Sequence, residues 1–423
     1  MDLSTAPLPK RTTQILVVVG AILLYGIIAG IRANASLLSS LISATTGIAY
    51  GNVSLAFSIM NLIMACSIPL IAILTLKVRY AYLFFIGIIT AAIGFFGTAG
   101  ATTTAGIIVF LGIFFGIGAS VLSFSIVYSA AKPFFGEKGS AILSGVLLAA
   151  QGAMGVCVSS FIGTTSETFG LKLSLILISA VIACLIPFTF IFRKRRTDPA
   201  PTTADETREK VKLTTVFRKM LTTPFLYMLL LGFIAFGMGD GFLVNHLSQG
   251  VYVIYGADET AQSFLVSVYA VSVMAGALSG GLIAARARNR ALTLSIIFLI
   301  WVGINMGLRV LVDYYLDTGF FTPVLLSVIL FLGGFLLNAT NVLLIALIGE
   351  HVSAAFSVLI IGLFDALGFL IYAINQLMGG ILFDIYGNFR TLVTIVFFLC
   401  CAAGILFLIY GIRQRKKEPK IYF

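Results

Sequence analysis

The chain has 423 residues, of which 60% are hydrophobic and only 10% are charged. Soluble domains carry about a quarter charged residues, so this composition excludes an ordinary soluble enzyme and points to a chain that crosses a bilayer many times. The formal charge of +11 does not indicate nucleic-acid binding, because the basic residues sit in short clusters beside apolar runs: Lys10-Arg11, Lys77/Arg79, Arg193–Arg196, Arg286/Arg288/Arg290 and Arg413 onward. That distribution orients a membrane chain and does not bind a polyanion.

In chain order, continuous apolar segments fall at 14–36, 50–75, 80–99, 105–131, 140–164 and 171–192. After a polar stretch they resume at 223–250, 261–284, 291–312, 321–348, 353–382 and 390–412. Each is about 20 residues or longer, the length an α-helix needs to span the hydrocarbon core, and none alternates as a β-barrel strand would. The expectation is an all-α membrane protein with twelve transmembrane helices. Its first run is a retained span and not a signal peptide, since no small-residue cleavage site follows it. Both termini are expected in the cytoplasm, beside the basic clusters, because the opposite connections ("SATTGIAYGN", "YGADETAQ", "FDIYGNFR" and others) are short and mostly neutral or acidic. The five cysteines all lie in apolar runs, with no metal-ligand spacing and no disulfide framework, and read as small packing residues. No metal site or cofactor is expected, and no Walker-type loop is present for ATP-driven transport.

The polar stretch 193–222 divides the spans six and six, giving an N-terminal bundle over 1–192, a cytoplasmic linker over 193–222 and a C-terminal bundle over 223–423. The two halves repeat one another. "FGEKGSAILSGVLLAAQGAMG" aligns with "IGEHVSAAFSVLIIGLFDALG", pairing Gly136-Glu137 with Gly349-Glu350, Ser144 with Ser357 and Gly155 with Gly368. The next connection repeats as well, "SETFGLKLSL" against "FDIYGNFRTL", pairing Glu167 with Asp384 and Gly170 with Gly387. Two pseudo-symmetric six-helix bundles follow from this.

This layout resembles the major facilitator superfamily over essentially the whole chain. The connection "SGGLIAARARNRALTL" is similar to the superfamily's Gly-x-Leu-Ala-Asp-Arg-x-Gly-Arg-Arg loop. Gly281, Arg286 and Arg290 match, while the acidic position is Ala285. Within the superfamily the chain looks most like the monocarboxylate and oxalate/formate porter branch, at His246-Leu247, Gly256 and Gly276. The resemblance implies that spans 1, 4, 7 and 10 line a central cavity and that transport runs by alternating access.

A charge at the bilayer centre costs at least about 2.5–3.5 kcal/mol, so charges inside spans mark function. Arg32, in "YGIIAGIRANASLLSS", offers a planar fork that can hold a carboxylate through two parallel hydrogen bonds; the structural alternative is snorkelling to the interface. Asp240 lies at a similar height in span 7 and corresponds by the repeat to Asn34. An Arg32–Asp240 ion pair, direct or through water, is expected to act as a gate; the alternative is a locally capped helix break at "GMGDGF". Asp365 is the deepest charge and a candidate proton carrier, with a hydrogen-bonded packing role as the alternative. His246 can take or release a proton, and its place near the end of span 7 fits a coupling site or an interface equally. Tyr128, Asn338, Asn341 and Gln151 are the uncharged candidates for substrate binding, and Gly112, Gly116 and Gly118 permit close packing of span 4.

The function expected is secondary active transport of a small organic anion, a mono- or dicarboxylate, with a proton or counter-anion as the coupled species. The chain is expected to work as a monomer in a plasma membrane. The alternatives are a proton-coupled exporter of a cationic or amphiphilic compound and a non-transporting receptor that kept the fold.

Overall fold

The computed structural model describes residues 11–75, 77–135, 137–192, 223–255, 258–318, 323–351 and 354–414. Among these residues there are helices and no strands. The linker 193–222 lies outside the described residues.

Twelve described helices are long and apolar enough to cross a membrane. Spans 1 to 6 are Arg11–Ala33, Tyr50–Ala72, Tyr80–Gly100, Thr104–Phe134, Gly145–Phe169 and Leu171–Phe192. Spans 7 to 12 are Phe225–Leu247, Thr260–Arg286, Arg290–Val310, Val324–Ile348, Leu363–Tyr386 and Arg390–Gln414. Every expected segment coincides with one of them.

Span 1 does not end in a loop as "SATTGIAYGN" suggested. The chain turns at Asn34 and continues as a second helix, Ala35–Thr46, closed by Gly47 in the left-handed conformation. The Asn34 side chain donates to the Gly30 and Gly155 carbonyls at 2.8 and 3.0 Å, which ties the turn to span 5. A Cβ on Gly30 would lie 2.7 Å from the Met154 carbonyl carbon, so spans 1 and 5 touch backbone to backbone there. This close seam fixes where Arg32, two residues before Asn34, points.

Span 4 is also irregular, with a π-helical stretch over Ile108–Phe115 and a break at Leu122. Its glycines pack as expected: a Cβ on Gly112 would meet the Ala56 carbonyl at 3.0 Å, and one on Gly118 would meet the Gly87 carbonyl at 2.5 Å and the Ala91 nitrogen at 2.6 Å. Because these neighbours are backbone, Gly118→Val has nowhere to place its side chain. It is expected to destabilise the protein by about 3 kcal/mol, seen as lost folded yield and a lower thermal-unfolding midpoint. An unchanged midpoint would show that spans 3 and 4 can separate.

The repeat has a backbone signature. Gly170 and Gly387, paired by the sequence, both adopt positive φ (81° and 65°) in the turns that follow spans 5 and 11. An L-residue is strained in that region, so each turn selects glycine. In the superfamily-like loop, Arg290 donates to the Ala284 carbonyl and the Ala346 carbonyl at 3.1 Å each, placing its cation on the carbonyl ends of spans 8 and 10.

Candidate functional site

The two halves meet along two equivalent seams, spans 2 and 11 and spans 5 and 8, in the parts of those spans away from the termini. In the first seam, the Ser58 hydroxyl donates to the Ala373 carbonyl at 2.7 Å, and the Gly51 N–H reaches both carboxylate oxygens of Asp384 at 3.0 and 3.2 Å. In the second, Ser263 donates to the Ser159 carbonyl at 2.8 Å and Thr260 donates to Glu167 at 2.6 Å. A Cβ on Gly152 would lie 2.7 Å from the Ala270 carbonyl. The short helix after Asn34 adds a bond from Ser40 to Gln262 at 3.1 Å.

Glu167 and Asp384, the acidic pair of the repeated connection, therefore do the same thing twice. Each sits on the first turn of the second span of the opposite half, where free N–H groups and the helix dipole favour a negative charge. Both are solvent-exposed, so each contributes about 1 kcal/mol at most. Removing both charges together, by Glu167→Gln with Asp384→Asn, is expected to favour opening of this face about 10-fold. Maleimide labelling of a Ser58→Cys reporter, with the native cysteines replaced, measures it; an unchanged labelling rate would show that these carboxylates do not hold the seams together.

His246 belongs to this closed face and not to the central site. It is fully buried, with Nδ1 2.9 Å from the Tyr50 hydroxyl and Nε2 3.1 Å from the Asn375 carbonyl. Nε2 faces a carbonyl and so carries the proton and donates to Asn375, while Nδ1 faces the Tyr50 hydroxyl, whose single proton the Asn245 carbonyl also accepts at 3.0 Å. Phe389 packs on the ring with centroids 5.1 Å apart.

The central cluster is built from spans 1, 7, 8, 10 and 11. The helix Pro224–Tyr255 runs unbroken through "GMGDGF", so Asp240 is not at a helix break. Asp240 is 4% exposed. Its Oδ1 accepts from the Tyr269 hydroxyl at 2.5 Å and from Asn338 Nδ2 at 3.1 Å, and its Oδ2 accepts a short bond from the Tyr372 hydroxyl. One carboxylate thus joins spans 7, 8, 10 and 11, all in the second half of the chain.

No direct ion pair links Arg32 to Asp240, and Tyr372 contacts both. The Arg32 guanidinium lies 4.7 Å from the centre of the Phe369 ring and 5.9 Å from that of Tyr372, stabilised by the negative faces of the rings. Tyr372 therefore stands between the two charges, its ring toward Arg32 and its hydroxyl on Asp240. Arg32 and Asp365 also lie within electrostatic reach of each other. Asp365, Phe369 and Tyr372 recur at the helical spacing that puts them on one face of span 11.

The remaining expected residues divide. Asn338 joins the Asp240 cluster, and Gln151 accepts from the Tyr25 hydroxyl at 2.7 Å, on the same face of span 1 as Arg32. Tyr128 stacks on Phe124 with centroids 5.6 Å apart, and Asn341 is half-buried three residues beyond Asn338; neither touches the cluster in any recorded bond. Arg309 in span 9 donates to Thr394 at 2.8 Å; the side chain of Asp313, one turn further along the sequence and a natural ion-pair partner by that spacing, lies outside the described residues. Tyr269 and Tyr372 were not among the expected site residues. The one sequence signal for Tyr372 is its place seven residues beyond Asp365, two turns along the same face.

Twelve spans in two repeated sets of six, with polar seams between the sets and a charged cluster among spans 1, 7, 8, 10 and 11, are the architecture of a multi-pass membrane transporter. The chain belongs to the Major Facilitator Superfamily, whose profile matches residues 18–354. It is accordingly a multi-pass membrane transporter and not an enzyme. Among solved structures it is similar to a bacterial homolog of the human lysosomal transporter Spinster, in an inward-facing and unoccupied conformation. That match has a TM-score of 0.66 at 12% identity, over 95% of this chain and 96% of that one. It is similar also to a mutant of the nucleoside transporter NupG, with a TM-score of 0.68 at 13% identity over 94% and 99%. At these identities the likeness concerns the fold alone. A search of curated proteins returns no match.

Proposed function

We propose that the chain is a secondary active transporter of a small organic anion, with Arg32 as the group that holds the substrate carboxylate. The observation that carries this reading is the state of Arg32: half-buried inside the membrane, seated on Phe369 and Tyr372, and without a hydrogen-bond acceptor among the described residues. A guanidinium held on aromatic faces keeps its edge N–H groups free for a planar anion. The similarity of His246-Leu247, Gly256 and Gly276 to the monocarboxylate and oxalate/formate porter branch supports the same substrate class.

Residues 1–192 and 223–423 act as the two rocking bundles and 193–222 as the linker between them, with the termini cytoplasmic and the chain monomeric in a plasma membrane. The seams of spans 2/11 and 5/8 close the outer face, and His246, Glu167 and Asp384 belong to that gate. Asp240 is the coupling carboxylate, through proton symport or exchange against a second anion. Its link to the substrate group is Tyr372, which touches both Asp240 and Arg32. Asn338, Gln151, Tyr128 and Asn341 supply the polar lining.

Proteoliposome uptake of labelled small carboxylates, with and without an imposed pH gradient, tests the reading. Saturable uptake accelerated by the gradient, or by a trapped counter-anion, is expected. Export of cationic dyes without uptake of any carboxylate would overturn it.

A further inference from the structure

Three charges occupy the central cluster, and they are not in the same state. Asp240 is held by Tyr269, Asn338 and Tyr372. The Arg32 guanidinium and the Asp365 carboxylate, both half-buried, make no hydrogen bond with any described residue. They also form no ion pair with each other, although each lies within electrostatic reach of the other. Asp365 precedes Phe369 by one helical turn, about 5–6 Å along the face, and the guanidinium lies 4.7 Å from the Phe369 ring centre.

An isolated charge in the membrane interior is costly, and its cost falls when an opposite charge with matching hydrogen bonds meets it. A simple carboxylate would satisfy Arg32 and leave Asp365 facing no cation of its own. A simple amine would satisfy Asp365 and leave Arg32 bare. A ligand carrying a carboxylate and an ammonium on neighbouring atoms satisfies both and leaves the site's net charge unaltered.

We propose that the substrate is such a zwitterion, an α-amino acid in chemical class, with its carboxylate on the Arg32 fork and its ammonium on Asp365. Phe369, between the two charges, forms the apolar floor on which the substrate's carbon skeleton rests. The proposal rests on the reading of Arg32 as the carboxylate anchor and assigns Asp365 to substrate binding, leaving coupling to Asp240.

Two matched sets of ligands test it on the purified full-length protein in nanodiscs, with binding read by thermal shift: alanine, propionate and ethylamine, and phenylalanine, 3-phenylpropionate and 2-phenylethylamine. In at least one set the amino acid is expected to bind at least about 10-fold more tightly than either single-charge analogue. Asp365→Asn is expected to abolish the preference, so that the amino acid binds no more tightly than the matching carboxylate, whose own affinity is unchanged or higher because a negative charge near Arg32 has been removed. The wild-type ranking needs no variant, so a poorly folding Asp365→Asn leaves the test intact. Carboxylates that bind wild type as tightly as the amino acids would overturn the zwitterion and leave the Arg32 anchor standing. Amino-acid binding that Asp365→Asn leaves unaltered overturns the role of Asp365, and binding of none of the six overturns the proposal as a whole. If Arg32→Ala binds every ligand as wild type does, the anchor itself falls.

Discussion

Alanine in place of Arg32 is expected to lower carboxylate-dependent uptake on the order of 100-fold, the usual result of removing one partner from a desolvated, hydrogen-bonded charge pair. Arg32→Lys keeps the charge but gives up the planar fork and its seat on the Phe369 and Tyr372 rings. Its expected uptake is intermediate, within about 10-fold of alanine, because an ammonium binds a carboxylate as a point charge and not through two parallel bonds. Folded yield and thermal midpoint should change little in either variant, since Arg32 makes no hydrogen bond that the fold relies on. Wild-type uptake by Arg32→Ala would remove the substrate anchor from this description.

The second large effect is expected at Tyr372, and its extent differs with the substitution. Tyr372→Phe keeps the ring beneath Arg32 and deletes the hydroxyl that donates to Asp240. Apparent affinity for the substrate should fall less than about 3-fold, because the cation–ring contact survives. Acceleration by a pH gradient should be lost, because Asp240 no longer shares a group with the Arg32 site. Tyr372→Leu removes both contacts, and there affinity should fall about 10-fold as well. Uptake measured across a series of imposed gradients separates the two, and a fully gradient-sensitive Tyr372→Phe would dismiss Tyr372 as the link. Asp240→Asn provides the control: it removes the carboxylate while Tyr269, Asn338 and Tyr372 stay in place, and it should also abolish the gradient response.

Much of the architecture is legible in the sequence because crossing a membrane is a local requirement. About 20 apolar residues suffice to mark a span, and each of the twelve expected segments coincides with a helix. The repeat is legible for a similar reason: Gly170 and Gly387 answer to the local conformation of a turn, and both turn out to have positive φ. The charges Arg32, Asp240 and Asp365 announce themselves by their cost in hydrocarbon.

Tyr269 and Tyr372 announce nothing. A tyrosine within an apolar span costs little, and its value as a donor depends on what stands opposite. The contact of Tyr372 with both Asp240 and Arg32 requires spans 1, 7 and 11 to be packed together, which no short window of sequence records. The expected Arg32–Asp240 pair was drawn from equal heights in corresponding spans, and equal height does not exclude a third side chain between them. His246 illustrates the same limit: its position along span 7 was compatible with a site or an interface, and only the packing of Tyr50 and Asn375 against its ring shows that it is buried between spans 2 and 11.

What the sequence by itself determined, then, is whatever a single helix or turn can specify: twelve spans, their division and repetition, and the three charges that do not belong in lipid. The tertiary structure decided which of those charges are already engaged and which are free. That is a matter of side chains from distant spans meeting within hydrogen-bond distance, and the membrane enforces it, because a polar group there has no water to turn to and must find its partner in another helix.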